Sequence, residues 1–292
     1  MRITQLMVTR QFNQNLQRNN ASIDSLRQQI ASGVKYEKIS DNPMAAIKGL
    51  SQRSSIMQLE QYQSNAEDGI NWLTAADDAL DQATNVLQRI RELTVKASND
   101  TSDVVDRKSI ATEIRSLKDQ LGSVANTNFM GKYLFSGMDQ SKAPYSDDEL
   151  SDVVASGMNW DVGQGMSVSV NVNAESVFGF SVDGKNLFQT LDSLIQELED
   201  GQNPTNLLGS LDKQFDNVVN QRTIVGANQN LLESAVNKLD QASLLQQKML
   251  SKAIDTDYAQ AYIELTAQET ALKASLSAGA RIIQPTLVDF LR

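Results

Sequence analysis

Residues 12–30 read FNQNLQRNNASIDSLRQQI, and residues 258–290 read YAQAYIELTAQETALKASLSAGARIIQPTLVDF. Apolar residues recur at intervals of about three, four and seven, at Phe12, Leu16, Ile23, Leu26 and Ile30 in the first stretch and at Tyr258, Tyr262, Leu265, Leu272, Leu276, Ile283 and Phe290 in the second. This spacing predicts a helix with one narrow apolar stripe, which needs a partner helix to bury it. We therefore expect these twelve residues to pack the two chain ends against each other or against copies of themselves.

The composition excludes several classes of function. The chain of 292 residues contains no Cys and no His, which excludes disulfides, thiolate nucleophiles, zinc sites built on these residues and His-based acid–base catalysis. The formal net charge of −10 argues against a nucleic-acid partner, and no apolar run approaches the ~20 residues of a membrane span. We expect neither a metal nor a cofactor, and neither nucleic acid nor a membrane as partner.

The pattern of the chain is mainly helical on both sides of a short β-rich segment. Gly33 is placed to end the first helix, and Pro43 fits the first turn of the second, with either Asp41 or Asn42 as its cap. A heptad of large and small residues in the second helix predicts a buried seam: Leu73, Ala76, Leu80, Ala83, Leu87, Ile90, Thr94 and Ala97. Further helices are expected from about residues 104, 187 and 204.

The middle of the chain differs from both flanks in charge and in period. From Asp139 to Asp200 there are twelve acidic residues and two basic ones, so this block carries the whole net charge. Within it, Met166, Val168, Val170 and Val172 alternate with polar residues at strand spacing. Within residues 129–137, Tyr133 and Phe135 lie between Gly131 and Gly137, which favours a hairpin. We expect a small β-rich insertion that faces solvent.

One motif resembles a catalytic site. Ser32-x-x-Lys35 followed by Ser40-Asp41-Asn42 matches two of the three elements of penicillin-recognising enzymes. The third element, Lys-Thr-Gly, is absent, the two that are present lie too close together, and Ser32 falls at the end of a helix instead of its start. We therefore expect no enzyme activity.

Several stretches together resemble the bacterial flagellin superfamily. They are residues 30–35 (IASGVK), residues 39–46 (ISDNPMAA, with Ser40, Asp41, Asn42 and Pro43 as its most recognisable part), residues 106–126, and residues 279–292. Residues 131–137 (GKYLFSG) are more similar to the branch of that family that joins hook to filament than to filament subunits. The chain departs from the family at Asn42, where a second acidic residue is frequent, and at Met44, where a small residue is common.

The resemblance implies a fold, a location and partners. Terminal helices of many subunits would pack as coiled coils, and the β-rich insertion would face outward. The protein would be extracellular, in the flagellum, exported by the flagellar secretion system without a cleaved signal peptide. Its partners would be copies of itself, a hook-associated protein on the hook side, flagellin or junction subunits on the filament side, and an export chaperone at its C-terminal region.

These observations predict a mainly α protein: a long, coiled-coil-like helical bundle built from both chain ends, with a small β-rich inserted outer domain. We expect residues 1–42 and 255–292 to form a terminal coiled-coil domain, 43–137 and 185–254 a helical core domain, and 138–184 the outer domain. The function expected is a structural adapter between hook and filament. The alternatives are a flagellin filament subunit and a cytoplasmic coiled-coil scaffold.

Overall fold

The computed structural model describes residues 5–36, 38–99, 104–137, 139–146, 149–151 and 159–283. Its helices are α1 (Gln5–Ser32), α2 (Pro43–Ala97), α3 (Val104–Ala125), α4 (Ala174–Val177), α5 (Leu187–Glu199), α6 (Thr205–Ile254) and α7 (Tyr258–Ile283). Its strands are β1 (Asn128–Phe129), β2 (Lys132–Tyr133), β3 (Tyr145–Ser146), β4 (Glu149–Leu150), β5 (Asn159–Gly163) and β6 (Met166–Ser169). The predicted class, mainly α with a small β-rich insertion, is confirmed.

The strands form three antiparallel pairs, β1–β2, β3–β4 and β5–β6. In the first pair Phe129 lies opposite Lys132, and the turn between them places Met130 at φ 54° and Gly131 at φ 81°. Two successive residues at positive φ are typical of the tight turns that match strand twist, and Gly is the residue that takes this conformation without strain. The hairpin predicted within residues 129–137 is thus present as a two-residue turn.

The backbone divides into two compact units. Unit 1 contains the chain up to Met57 and from Leu244 onward, and unit 2 contains Gln58–Ser243. Unit 1 therefore includes α1, α7, the start of α2 and the end of α6, and unit 2 includes the β-rich segment together with the remaining helices. The boundaries predicted for a separate outer domain at 138–184 stay a prediction.

Local signals account for several helix ends. Gly33 follows α1 at φ 75°, and its N–H donates to the carbonyl of Gln29 at 2.9 Å, a left-handed helix stop. The Asn42 side chain accepts from the N–H of Ala45 at 3.1 Å, so Asn42 is the residue that caps α2. Asn186 caps α5 through a reciprocal pair of hydrogen bonds with Gln189.

The hydrophobic core lies in unit 2. Every residue of the predicted α2 seam, from Leu73 to Ala97, is at most 1% exposed. Helix α5 packs on α3, and the aromatic rings of Phe135, Phe178 and Phe188 meet within the same core. The Tyr145 ring of the β-rich segment stacks on Phe188, with ring centroids 4.1 Å apart. Burial of this many large apolar side chains is the main source of the stability of the fold.

Polar contacts set the register of the helices in unit 2. Arg222 of α6 binds two carboxylates of α2, Asp77 at 2.8 Å and Asp81 at 2.5 Å, and the hydrogen bond with Asp77 is the largest of the effects that raise the pKa of the guanidinium. Between α3 and α5, the ammonium of Lys118, whose side chain is 7% exposed, donates to Asp192 at 2.6 Å. The carboxylates of Asp77 and Asp81 are thus both engaged by one guanidinium.

Candidate functional site: the terminal helix pair

Helices α1 and α7 pack against each other along their length, and we call them the terminal helix pair. Near one end of the pair, the Phe12 ring lies so close to Gly279 that any Cβ at position 279 would overlap it. Further along, the guanidinium of Arg27 donates to Glu269 at 2.9 Å, with both side chains substantially exposed. A surface ion pair of this kind contributes at most about 1 kcal/mol, so apolar packing decides the strength of the pair.

The turn after α1 is hydrogen-bonded to the turn after α6. The N–H of Lys35 donates to the carbonyl of Ile254 at 2.7 Å, and the N–H of Thr256 donates to the carbonyl of Gly33 at 2.9 Å. Between them, Val34 and Asp255 form an isolated antiparallel bridge. These backbone bonds fix where α7 begins relative to where α1 ends, which is what brings the two apolar stripes together.

The first turn of α7 is capped and anchored at the same place. The Asp257 carboxylate accepts from the N–H groups of Ala259 at 3.0 Å and Gln260 at 3.2 Å, as a helix N-cap does. The Tyr258 hydroxyl lies over Gly33, 2.8 Å from where a Cβ would stand. Only glycine satisfies both the positive φ and this close approach.

The pairing of α1 with α7 leaves the predicted packing residues incompletely buried. Ile23 is 4% exposed, whereas Tyr258, Tyr262 and Leu276 remain 54%, 58% and 52% exposed. Half-buried positions make up most of the rest: Phe12, Leu16, Leu26, Ile30, Leu265 and Leu272. Ile283 is the last residue of α7, while Phe290 lies outside the described residues. The two helices together therefore bury one side of the stripes and leave another side open.

Unit 1 has almost no buried apolar interior among its described residues. Of the 43 buried hydrophobic residues in the described parts of the chain, three belong to unit 1: Ile23, Ile56 and Ala261. By contrast, thirteen of the 21 exposed large hydrophobic side chains belong to it. Large apolar residues at surface positions mark interaction surfaces when they cluster.

In the structure, the motif Ser40–Pro43 forms the turn before α2 and the start of that helix. The N–H of Lys38 donates to the Asp41 carboxylate at 3.3 Å, the Ser40 hydroxyl lies at the same distance from it, and Asn42 caps α2. Lys35, the other half of the apparent catalytic motif, donates to the carbonyl of Lys252 at 3.3 Å. The hydrogen bonds of these residues stabilise the turn and the first turn of α2. In the described region none of these residues forms a nucleophile–base pair.

Neither a metal centre nor a membrane-spanning helix is found in the part of the chain that the structure describes. No group of three or more acidic side chains is placed there to hold a metal ion. None of the helices described is both long and apolar enough to cross a lipid bilayer.

Reasoning from the sequence missed one part of this surface. The start of α2 exposes Met44, Ile47, Leu50 and Met57, at 80%, 64%, 57% and 62%. Their intervals of three, three and seven predict a shared helix face. That spacing is present in the sequence, but periodicity alone does not distinguish it from the ordinary apolar stripe of a helix that is buried in its own subunit.

Comparison with known proteins gives the family. A model of the bacterial flagellin N-terminal helical region matches residues 3–140, and a model of the bacterial flagellin C-terminal helical region matches residues 208–291. Together they cover about three quarters of the chain, and they coincide with the two flanks that meet in the terminal helix pair. The chain belongs to the bacterial flagellin family, whose members are structural proteins of the flagellum.

Two relatives represent the two branches of interest. The chain is 28% identical to the flagellar hook-associated protein 3 of Escherichia coli (strain K12) over 212 residues, 68% of this chain and 67% of the relative. It is 35% identical to a flagellin of Clostridium tyrobutyricum over 115 residues, 39% of this chain and 30% of the relative. The match thus spans less than a third of that flagellin but two thirds of the hook-associated protein.

Solved structures show the same fold. A Vibrio parahaemolyticus structure assigned to a flagellar hook-associated protein superposes with a TM-score of 0.68 at 24% identity, covering 74% of this chain and 100% of that one. The flagellar junction protein FlgL from Legionella pneumophila gives a TM-score of 0.58 at 17% identity, covering 73% and 100%. At these identities the likeness establishes the fold alone.

Proposed function

We propose that this chain is a structural subunit that joins hook to filament in the bacterial flagellum, equivalent to hook-associated protein 3. The fold match, which covers all of two hook-associated or junction structures and about three quarters of this chain, and the two-thirds coverage of the Escherichia coli relative support this role. The aromatic hairpin segment 131–137, which resembles the same branch, supports it independently. Family membership gives no support to the alternative of a cytoplasmic scaffold.

The observation that carries the proposal is the absence of an apolar core from the described part of unit 1. A folded unit with three buried hydrophobic residues and thirteen exposed large ones gains little stability by itself. Stacking of unit 1 from several copies would remove the open sides of the α1 and α7 stripes from water. The twelve predicted packing residues are therefore proposed as contacts between subunits.

Assembly would then be coupled to ordering of the terminal helix pair. Two helices with one buried side are marginal in water because their stability comes mostly from tertiary packing. Ordering on contact with neighbours lets a subunit remain separate until it reaches the growing structure, at a cost in binding free energy. We propose as partners copies of the chain, a hook-associated protein on the hook side, flagellin or junction subunits on the filament side, and an export chaperone at the C-terminal region.

The location follows from the same proposal. The chain would be extracellular at the hook–filament junction, exported by the flagellar secretion system without a cleaved signal peptide. The acidic, β-rich segment would face outward as a separate domain over residues 138–184.

The test is deletion of the gene, followed by electron microscopy of the cells and measurement of flagellin in the medium. The proposal predicts bare hooks together with flagellin shed into the medium, because filament subunits are made and exported but have nothing to attach to. Restoration of filaments by a plasmid copy is the control. Normal filaments on the deleted cells would contradict the proposal.

The second candidate is a flagellin filament subunit, favoured by the 35% identity to the Clostridium flagellin over 115 residues. It predicts bare hooks with no flagellin in the medium, because the deleted gene would encode the flagellin itself. It also predicts that the purified chain grows filaments from short seeds. The same deletion strain therefore separates the two candidates.

A further inference from the structure

A groove of about 500 Å³ lies within unit 1, apart from the terminal helix pair. It is formed by the turn after α1, the start of α2 and the end of α6, with Tyr36, Leu50 and Ile254 among its lining residues. The helices approach closely at its floor, since a Cβ at Gly49 would stand 2.7 Å from the Ile254 side chain. We call it the basic groove for the charges described below.

The lining of the basic groove is apolar and open. Ile39 and Leu50 are 64% and 57% exposed, and both line it. Ile47, in the same helical segment, is 64% exposed. Exposed apolar side chains that lie this close together on one surface mark a site where another protein molecule binds.

Basic side chains also line this groove. Lys38 and Arg53 line it, and both are exposed. The nearby carboxylate of Asp41 accepts from the backbone N–H of Lys38 and is thereby tied to the turn. Over its whole length, unit 1 carries thirteen basic residues against eight acidic ones, whereas unit 2 carries thirteen against twenty-eight. The net charge is therefore +5 in one unit and −15 in the other.

The opposite charge is presented by the middle of α2. Residues 54–88 contain six carboxylates and no Lys or Arg. Asp77 and Asp81 are engaged by Arg222, but Glu60, Glu67, Asp68 and Asp78 are exposed. We call the exposed part of this segment the carboxylate face. On a helix of 3.6 residues per turn, half-buried Leu59 and Ile70 lie to one side of the line formed by Glu60, Glu67 and Asp78, and they offer apolar surface to a neighbour.

We propose that the basic groove of one subunit docks on the carboxylate face of α2 in a second copy of this chain. The cations Lys38 and Arg53 would pair with the exposed carboxylates, and the apolar lining around Leu50 would cover the half-buried residues beside them. This contact rests on the proposed function as a self-packing flagellar subunit and names a second interface for it, distinct from the terminal helix pair. Opposite charges on the two surfaces also orient the encounter of the copies.

The absence of cysteine makes the contact testable by a disulfide. Leu50→Cys and Ser64→Cys in one chain place a thiol in the basic groove and another beside the carboxylate face. A disulfide within one chain would leave the subunit at the size of a monomer, so only a bond between two copies gives a larger species. Intact flagella from a deletion strain carrying this variant are treated with a mild oxidant, and the subunits are separated without reductant.

The expected result is a ladder of disulfide-linked subunits. The matched control is Leu50→Cys with Ser109→Cys, which moves the second thiol to an exposed serine of α3 and is expected to stay monomeric. A monomer in both variants, in cells that still swim, overturns the proposed contact and leaves the proposed function intact. A ladder in both variants would show that the disulfide forms without the proposed contact, and it would overturn the proposal.

Charge reversal gives an independent measurement. Lys38→Glu with Arg53→Glu is expected to reduce the swimming population at least tenfold while the subunit is still exported. Adding Glu60→Lys and Glu67→Lys to the same chain restores the opposite signs and is expected to recover swimming. Failure of the combined variant to recover, although it is exported at the normal level, counts against the pairing of these two surfaces. Loss of flagellin shedding in the deletion strain would instead count against the proposed function.

Discussion

Two glycines determine how closely the terminal helices approach. Gly33 takes φ 75° and lies under the Tyr258 hydroxyl, so the end of α1 contacts the start of α7. Gly279 accommodates the Phe12 ring where the helices meet further along. Gly279 lowers the intrinsic stability of α7 by about 1 kcal/mol relative to alanine. Its missing side chain leaves the space in which the Phe12 ring packs.

Gly279→Leu is expected to separate α1 from α7. The new side chain would occupy the space of the Phe12 ring, and overpacking of this kind costs about 1–3 kcal/mol. Since the pair has few other buried contacts, we expect the variant to be exported and folded in unit 2 but to reduce swimming by at least tenfold. Ala278→Leu adds a leucine at an exposed neighbouring position and should swim normally. Equal motility of the two variants would show that the Phe12 contact is dispensable.

The sequence predicted some of these residues and not others. Gly33 as a helix stop and Asn42 as one of two cap candidates follow from local backbone chemistry, which nearby residues determine. The contact of Phe12 with Gly279 joins residues more than 250 positions apart, and no local rule gives it. The same holds for Arg222, whose bonds to Asp77 and Asp81 depend on the register of α6 on α2.

At the scale of elements, α2 buries its apolar residues in one part of its length and exposes them in another. From Leu73 to Ala97 its heptad residues are buried in the core of unit 2, as the alternation of large and small residues predicted. From Met44 to Met57 its apolar residues are exposed. Periodicity identifies both stripes, but it does not say which one the chain buries by itself and which one needs a partner.

Helix α7 is expected to lose its role in assembly when its stripe receives a charge. Leu272 is half-buried in the terminal helix pair, and an aspartate there would have to lose its hydration to be packed. Leu272→Asp should abolish swimming while the core of unit 2, measured by its thermal unfolding transition, remains unchanged. The neighbouring position provides the control, since Ala271→Asp adds the same charge at an exposed position of α7 and should swim. Wild-type motility of Leu272→Asp would refute the role of the stripe.

The packing of α5 on α3 includes a contact that the sequence did not predict. The two helices themselves were predicted from the sequence, but the burial of Lys118 against the half-exposed Asp192 was not, because lysine is almost never fully buried unless it is paired. Charged residues in a helix pattern are normally assigned to the solvent side. Only the structure shows that one of them is enclosed.

At the scale of the molecule, stability and apolar exposure are divided between the two units. Unit 2 holds 40 of the 43 buried hydrophobic residues in the described chain and most of the negative charge. Unit 1 is basic and holds most of the exposed large apolar side chains. A division of this kind suits a subunit that folds one part alone and completes the other part in contact with neighbours.

Hydrogen exchange of the purified full chain, followed by mass spectrometry, tests this division most directly. If unit 1 obtains its stability from neighbouring subunits, amides of α1 and α7 should exchange at least 100-fold faster than those of the α2 seam between Leu73 and Ala97, since local opening is easiest where few apolar contacts are buried. In intact flagella the same α1 and α7 peptides should become protected. Equal protection of α1, α7 and the α2 seam in the free subunit would contradict the account.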